Sequence, residues 1–244
     1  MIIIPMAGKS SRFFNAGYDI PKYMLPLNES NVFKEAVRSF KSYFKDDFFL
    51  FITRTDFGVE NFVKKECISL GINNFEVVTL DEDTRGQADT VKIGLDRSEV
   101  KISNEEMYVF NIDSIRVNFT KPDTGFLKNT SGYLEVFEDE GEHWSFVEPL
   151  KNNYVKRTTE KIRISNLCSN GLYYFSSVEL FKQVFIEFEK INDYKELFIA
   201  PMYNVLINKS LDVKYLLLEQ NQTLFSGTPT EYEQLKNIFK TDIS

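Results

Sequence analysis

Apolar residues follow two different periods in the first half of the chain. Short runs of consecutive apolar residues are typical of buried strands, and between them apolar residues recur every three or four positions, as on one face of a helix. The predicted strands cover residues 2–5, 48–53, 75–80 and 107–112, and the predicted helices cover residues 31–45, 59–70 and 87–95. This alternation predicts an α/β fold with a largely parallel sheet.

The pattern changes in the second half of the chain. Four predicted strands follow one another without helices, at residues 132–137, 144–148, 154–160 and 171–175. We expect them to form hairpins or an antiparallel extension of the sheet. Helices are predicted at 178–188 and 197–207, a strand at 211–218, and a last helix up to about residue 239. The last helix is predicted from Thr228-Pro229-Thr230-Glu231, a capping box with proline at the first helical position.

Composition limits the classes of function. The 244 residues are enough for a full core, the net charge is −7, and no apolar run approaches the roughly 20 residues of a membrane-spanning helix. The N-terminal Met-Ile-Ile-Ile lacks the basic region of a signal peptide, so we expect a cytoplasmic protein without a membrane partner. An acidic chain without a basic stripe is a poor candidate for binding nucleic acid, so we expect any anionic ligand to be small.

The first 22 residues combine an apolar strand with a local excess of positive charge. Strand 2–5 leads into a turn of small residues that contains Lys9 and ends at Arg12, and Lys22 follows ten residues later. Only Asp19 opposes these cations in the segment. Backbone N–H groups at such a turn, and at the start of the helix expected after it, favour a phosphate. An ordinary strand–helix turn with a surface arginine explains the same residues.

A carboxylate follows the fourth predicted strand, where the sequence reads Asn111-Ile112-Asp113-Ser114. In an open α/β sheet, ligands bind beyond the carboxyl ends of the strands. Asp113 is therefore a candidate for holding Mg²⁺ against phosphates. A capping or turn aspartate is the alternative interpretation.

Two further motifs suggest contacts with organic ligands. Thr84-Arg85-Gly86-Gln87-Ala88 is either a plain loop or a contact with the edge of a base, because glutamine both donates and accepts hydrogen bonds. Glu160 and Lys161 are either a solvated strand edge or a pair in which Lys161 binds the phosphate of an acceptor and Glu160 binds its hydrogen-bond donors. The polar Asn166 and Asn170, which flank apolar residues, favour a lined pocket.

In their order along the chain, these motifs resemble those of the nucleoside-triphosphate transferase family, GT-A-like enzymes that make activated sugars and alcohols. The family motif Ala-Gly-x-Gly-[Ser/Thr]-Arg followed by Pro-Lys resembles residues 7–12 and 21–22. Its Gly-x-Ala loop, its strand-end Asp, and its Glu-Lys followed by Gly-[Ile/Leu]-Tyr-x-Phe resemble residues 86–88, 113, 160–161 and 171–175. Its Ala-Pro-x-Tyr-Asn helix and its Gly-Thr-Pro-x-[Asp/Glu] turn resemble residues 200–204 and 227–231.

The resemblance implies one domain over residues 1–240 with a GT-A-like, Rossmann-type mixed and mostly parallel sheet. It implies a nucleotide-binding half of about 1–125 and a β-rich acceptor-binding half of about 126–240. The implied reaction is Mg²⁺-dependent transfer of a nucleotidyl group from a nucleoside triphosphate to a small phosphorylated acceptor, with release of pyrophosphate. The implied site residues are catalytic Arg12 and Lys22, the metal ligand Asp113, the nucleotide contacts Ala7, Gly8, Lys9, Ser10, Ser11, Asp81, Gly86, Gln87 and Ala88, and the acceptor contacts Glu160, Lys161, Asn166 and Gly171.

Within the family, the wording is closest to cytidylyltransferases of capsule biosynthesis, such as the enzyme that activates phosphoglutamine. We favour CTP because Asp81 lies near the position where sugar-nucleotide relatives use glutamine to bind thymine or uracil, and a carboxylate suits the amino group of cytosine. Two positions depart from the family pattern. Ser10 replaces the second glycine of the first motif, and Phe225-Ser226 stand where sugar-nucleotide enzymes often carry a second metal-binding aspartate.

Three alternatives remain open. A UTP- or dTTP-dependent sugar-1-phosphate nucleotidyltransferase uses the same chemistry. A GT-A glycosyltransferase would normally carry Asp-x-Asp, and Asp113-Ser114-Ile115 lacks the second aspartate. A non-catalytic nucleotide-binding protein is compatible with both departures from the pattern. The sequence predicts neither the acceptor nor the oligomeric state.

Overall fold

The computed structural model of the chain describes residues 1–100 and 104–241. Its helices α1 to α8 are Ser11–Asn15, Val32–Arg38, Val59–Leu70, Gln87–Arg97, Thr124–Leu127, Val178–Ile191, Tyr203–Asn208 and Pro229–Thr241. Its strands β1 to β13 are Ile2–Pro5, Pro26–Leu27, Ser30–Asn31, Phe48–Arg54, Asn74–Leu80, Met107–Phe110, Ser114–Arg116, Thr130–Glu138, Ser145–Pro149, Val155–Glu160, Leu167–Phe175, Asp212–Leu217 and Thr223–Phe225. Within the described ranges, no helix has both the length and the apolar composition needed to cross a membrane.

The described residues divide into two compact units whose segments alternate along the chain. The first unit comprises residues 1–3, 83–100, 104–110 and 121–220, and the second comprises residues 4–82, 111–120 and 221–241. Strand β1 therefore contributes its first residues to one unit and its last residues to the other. These boundaries differ from the division at about residue 125 used in the sequence analysis, and that functional division stays a prediction.

The first unit is built around the long strand β11. This strand pairs antiparallel with β6, β8 and β9, and β9 pairs antiparallel with β10. Parallel pairings join β1 to β6 and β12 to β8. The fully buried Tyr203 of α7 fastens the helix to this sheet, because its hydroxyl lies 2.8 Å from the carbonyl of Tyr133 on β8 and 2.9 Å from that of Tyr174 on β11. The predicted antiparallel extension is confirmed.

The second unit contains β4 and β5, which pair in parallel, and the end of β1 beside β4. Two short antiparallel pairs, β7 with β13 and β2 with β3, complete its strands. Tyr232 of α8 is 2% exposed, packs its ring 6.2 Å from that of Phe13, and donates a hydrogen bond to the carbonyl of Pro26 at 2.7 Å. Aromatic packing therefore holds α8 against α1.

The elements form the α/β fold with a large mixed sheet that the sequence predicts. Two helices are shorter than predicted. Helix α7 begins at Tyr203, after a short 3-10 turn at Ala200–Met202. Helix α2 ends at Arg38, and a short 3-10 turn follows at Lys41–Tyr43. Phe40 and Phe44 are nevertheless buried, so their helical spacing reflects burial rather than a continuous helix. Strand β11 begins at Leu167 instead of residue 171, because residues 167–169 already pair with β8 and Cys168 also pairs with β9.

Candidate functional site

The small-residue turn of the second unit lies between β1 and α1. Ala7 is buried, whereas Gly8, Lys9, Ser11 and Arg12 are exposed. Ser10 is the N-cap residue of α1, and its carbonyl accepts hydrogen bonds from the N–H groups of Phe13 at 2.9 Å and Phe14 at 3.2 Å. The predicted helix after the turn is confirmed, but it has only five residues, so we expect its dipole to add little to anion binding.

Ser10 connects the turn to Lys22. Its backbone is in the left-handed region, with φ 51° and ψ 27°, where a residue with a Cβ is disfavoured by about 1–2 kcal/mol. Its Oγ accepts a hydrogen bond from the backbone N–H of Lys22 at 3.2 Å. A glycine would adopt this conformation without strain but would lack the hydroxyl. The serine therefore joins the two cationic motifs through a side-chain bond.

Lys22 and Asp113 form an ion pair between Nζ and Oδ2, although they are 91 positions apart in the sequence. Their side chains are 21% and 22% exposed, so both groups remain accessible. Asp113 is held in place by its backbone, because its carbonyl accepts the N–H of Ser226 at 2.8 Å and the Oγ of Ser226 at 3.1 Å. The structure thus brings together one predicted catalytic cation and the predicted metal ligand.

The turn after Ser226 lies beside the Asp113 carboxylate. A Cβ on Gly227 would lie 3.0 Å from Asp113 Oδ2 and 3.4 Å from Glu231 Oε2, so the glycine leaves room for two carboxylates. The predicted capping box is confirmed: the N–H of Thr228 donates to Glu231 Oε2 at 2.8 Å, and the N–H of Glu231 donates to Thr228 Oγ1 at 3.2 Å. Neither Gly227 nor Glu231 is among the predicted site residues, although the closing Gly-Thr-Pro-x-[Asp/Glu] motif contains both.

The donor set suits magnesium through a single protein ligand. In the part of the chain that the structure describes, no group of three or more His, Cys, Asp or Glu side chains is arranged to hold a metal ion. Mg²⁺ commonly takes one or two carboxylates and completes its shell with substrate phosphates and water. The partly exposed carboxylate of Asp113 fits that requirement. Arg12 and Asp81 are exposed side chains of the same unit.

In the first unit, the predicted base-binding loop is fastened to residue 197. Leu197 N–H donates to the carbonyl of Arg85 at 2.7 Å, and Ala88 N–H donates to the carbonyl of Leu197 at 2.9 Å. Gly86 has φ +138°, and a Cβ there would lie 2.6 Å from the backbone N and O of Leu197. Only glycine fits this position. Gln87, the first residue of α4, is half-buried.

Arg85 of the same loop is committed to carboxylates of the protein. Its guanidinium donates to Asp89 at 2.6 Å and to Glu189 at 2.5 Å. These hydrogen bonds raise the pKa of the Arg85 guanidinium. Arg85 therefore orders the loop and is occupied by acidic partners of its own unit.

The predicted acceptor pair lies at the end of β10. Glu160 is 8% exposed, and the hydroxyl of Ser145 donates to its carboxylate. Burial raises the pKa of Glu160, while the hydrogen bond from Ser145 and the Lys161 ammonium lower it and the Glu196 carboxylate raises it further. Lys161 is exposed and has a left-handed backbone with φ 54°, and its Nζ is 3.9 Å from Glu160 Oε1.

Asn204 fixes the strand that carries this pair. Its Oδ1 accepts the N–H of Thr158 at 2.9 Å, and its Nδ2 donates to the carbonyl of Thr158 at 2.9 Å. Both hydrogen bonds lie two residues before Glu160 on β10. The Asn of the Ala-Pro-x-Tyr-Asn motif therefore has a structural role: it holds β10 against α7.

The other two predicted acceptor residues have structural contacts of their own. Asn166 is exposed, and its Oδ1 accepts from the guanidinium of Arg163 at 3.0 Å, which also donates to the carbonyl of Asp139 at 3.2 Å. Gly171 has φ +92° and lies where the pairing of β11 with β8 shifts register between residues 169 and 173. Their contacts with an acceptor stay predictions.

Comparisons with known proteins identify similar structures. The nucleoside-diphosphate-sugar pyrophosphorylase from Vibrio cholerae RC9 is 41% identical in sequence to this chain. The match covers 97% of this chain and 100% of the Vibrio cholerae chain, and the TM-score is 0.92. The inositol-1-phosphate CTP transferase from T. maritima is 15% identical over 98% of this chain and 96% of its own, with a TM-score of 0.73. UDP-glucose pyrophosphorylase complexed with UDP-glucose is 17% identical over 99% of this chain and 98% of its own, with a TM-score of 0.72.

The last two structures share only the fold of this chain, whereas the Vibrio cholerae protein shares the fold and is also similar in sequence. No protein-family model matches the chain, and no curated protein matches it.

Proposed function

Since this chain belongs to the nucleotidyltransferase family, we propose that it transfers a nucleoside monophosphate from a nucleoside triphosphate to a small phosphorylated acceptor. The observation that carries the proposal is the ion pair of Lys22 with Asp113, a cation and a carboxylate in contact, with Lys22 also bonded to Ser10 of the small-residue turn. A phosphate-transfer site needs both groups, one for phosphate oxygens and one for the metal ion that accompanies a triphosphate.

In the proposed reaction, an acceptor phosphate oxygen forms a bond to the α-phosphorus of the triphosphate. The bond from the α-phosphorus to the bridging oxygen breaks, and pyrophosphate leaves with the electron pair. The attacking oxygen is already an anion, so no side chain has to remove a proton. Catalysis then consists of positioning and charge neutralisation.

Each cation has a separate task in this proposal. Arg12 binds the β- and γ-phosphate oxygens through its planar guanidinium and stabilises the leaving pyrophosphate. Lys22 binds the α-phosphate and reduces its repulsion of the incoming anion. Lys161 binds the acceptor phosphate, and Glu160 accepts hydrogen bonds from the acceptor. When bound, Mg²⁺ supplies charge neutralisation of the triphosphate, and Asp113 would hold it.

CTP is the preferred nucleotide in this proposal, and synthesis of a capsule or surface-polysaccharide precursor is the preferred context, with phosphoglutamine or a similar phospho-compound as acceptor. Asp81, which is exposed in the second unit, supports CTP because an ionised carboxylate accepts from the cytosine amino group. A structure of this fold is an inositol-1-phosphate CTP transferase by name.

A sugar-1-phosphate nucleotidyltransferase that uses UTP or dTTP is the second candidate. The similar Vibrio cholerae structure, 41% identical, is named a nucleoside-diphosphate-sugar pyrophosphorylase. That name favours a sugar phosphate as the acceptor over a phosphorylated amide.

Pyrophosphate release tests both candidates in one experiment. CTP, UTP, dTTP, ATP and GTP are each incubated with Mg²⁺ and with phosphoglutamine, glucose 1-phosphate or inositol 1-phosphate. We expect pyrophosphate release with CTP to exceed release with the other nucleotides. Greater release with UTP or dTTP in the presence of glucose 1-phosphate would instead support the second candidate. Arg12→Ala should lower turnover, whereas Arg38→Ala, another exposed arginine of the second unit, should leave it unchanged. If no pair of nucleotide and acceptor gives pyrophosphate release, the proposed function is wrong.

A further inference from the structure

Residues 194–198 of the first unit, which we name the linking segment, contact both the base-binding loop and the acceptor pair. The segment carries none of the motifs that identify the family. Its Leu197 backbone forms the two hydrogen bonds to Arg85 and Ala88 described above. Its two aromatic side chains, Tyr194 and Phe198, lie against Glu160 and Lys161.

Phe198 contacts the side chain of Lys161. The Lys161 Nζ lies 4.8 Å from the centre of the Phe198 ring, which is within the range of a cation–π contact. The same Nζ is 3.9 Å from a carboxylate oxygen of Glu160. The ammonium is therefore held by a ring face and by a distant carboxylate. Both contacts are weaker than a charge-assisted hydrogen bond to phosphate.

The ring of Phe198 is itself held in position from two sides. Tyr194 packs its ring edge-on to it, with centroids 6.2 Å apart and an interplanar angle of 89°. The Tyr194 hydroxyl accepts the backbone N–H of Glu160 at 3.4 Å. The preceding residue, Leu197, is fixed by its two backbone hydrogen bonds to the base-binding loop. It also lies so close to Gly86 that a Cβ on that glycine would be 2.6 Å from the Leu197 backbone.

We propose that Phe198 is a positioning residue, which holds the Lys161 ammonium over its ring until the phosphate of the acceptor takes it. The proposal rests on the proposed function, because it assigns Lys161 to the acceptor phosphate. The left-handed backbone of Lys161 limits where its side chain can go, and the Phe198 ring selects among those directions. Since Phe198 follows Leu197, the linking segment sets the position of Lys161 relative to the base-binding loop.

The contact is tested directly by NMR of the protein with ¹³C-dimethylated lysines. The Lys161 signal is assigned by its loss in Lys161→Arg. An ammonium over an aromatic ring is shifted upfield, so we expect the Lys161 signal upfield of the exposed lysines in the wild type and in Phe198→Tyr. We expect it among the exposed lysines in Phe198→Leu. An identical Lys161 signal in the wild type and in Phe198→Leu overturns the proposal.

Displacement of the Lys161 ammonium from the ring by phosphate is tested in the same samples. Inorganic phosphate should move the wild-type Lys161 signal toward the position of exposed lysines, whereas potassium chloride of equal ionic strength should not. If both salts move the signal equally, the ammonium responds to screening and not to phosphate, which contradicts the proposal.

Kinetics distinguish positioning from a general effect on the fold. With a nucleotide and acceptor that give pyrophosphate release, we expect Phe198→Leu to raise the acceptor KM about five- to tenfold, with kcat and the nucleotide KM within about twofold of the wild type. Phe198→Tyr should retain the wild-type KM. If Phe198→Leu lowers kcat and leaves the acceptor KM unchanged, Phe198 does not have the positioning role. If no pair gives pyrophosphate release, the proposed function fails, while the NMR comparison still decides whether Phe198 holds Lys161.

Discussion

The two units present their charged groups in different ways. In the second unit, Lys22 and Asp113 come from distant parts of the sequence and meet directly as an ion pair. In the first unit, Glu160 and Lys161 are adjacent in the sequence, and their nitrogen–oxygen distance is 3.9 Å. Burial, a serine hydroxyl and an aromatic ring hold this second pair. Direct ionic contact organises one group, and the surrounding packing organises the other.

The largest expected effect is on the ionic group. We expect Lys22→Met to lower kcat about 100- to 1000-fold, because it removes a preorganised cation from the developing phosphate charge. Lys34→Met is the matched control: Lys34 lies in the same unit, is also 21% exposed and pairs with Glu66 at 2.8 Å. Steady-state pyrophosphate release measures both variants. An equal loss in the control would mean that the effect is one of fold and not of the site.

Asp113→Asn sharpens the same comparison. If Lys22 and Asp113 act as one group, the double variant with Lys22→Met and Asp113→Asn should lose no more activity than the more damaging of the two single variants. The effects of substitutions at coupled residues are not additive. Additive losses would show that the ion pair has no bearing on turnover.

Packing around the base-binding loop has the next largest expected effect. We expect Gly86→Ala to lower the free energy of unfolding by about 3 kcal/mol, because the new Cβ meets the Leu197 backbone at 2.6 Å and φ +138° is a conformation reserved for glycine. Gly8→Ala is the control, with no atom within 4 Å of the added Cβ, and should change stability by less than about 0.5 kcal/mol. Urea unfolding measures both. Equal stability of the two variants would contradict the close approach of Leu197.

These differences explain what the sequence could and could not predict. Arg12, Lys22 and Asp113 can be selected from the sequence because the roles proposed for them require a cation or a carboxylate, which the sequence shows directly. The supports of Asp113 and Lys161 were not recognisable. Ser226 acts through its backbone and a hydroxyl, and Phe198 acts through one ring face, so neither residue type indicates the contact. The strand and helix order was predictable from periodicity, whereas the alternation of the two units along the chain was not.

Ser10 allows backbone strain and a side-chain bond to be separated. Ser10→Ala keeps the left-handed residue but loses the bond to Lys22, so we expect a loss of about 1 kcal/mol in the free energy of unfolding. Ser10→Gly loses the same bond but relieves the strain, so it should be about 1 kcal/mol more stable than Ser10→Ala. Hydrogen exchange at the Lys22 amide should be faster in both variants. Unchanged exchange in both would show that Ser10 does not hold Lys22.

The smallest expected effect is the pH dependence of Glu160. Burial raises its pKa above the ordinary value of 4.5, so the folded state holds this proton more tightly than the unfolded state. The stability from this proton is fully present below about pH 4.5 and is lost as the pH rises through the folded-state pKa.

Glu160→Gln cannot titrate, which makes it the reference for this measurement. We expect the free energy of unfolding of the wild type, minus that of Glu160→Gln, to fall as the pH rises above 4.5, with a slope of at most about 1.4 kcal/mol per pH unit. Urea unfolding of both proteins between about pH 4 and 7 measures the difference. A difference that rises with pH would mean that the Lys161 ammonium outweighs burial. The first unit would then hold its charged pair by ionic contact, as the second unit does, and the contrast between the two groups would disappear.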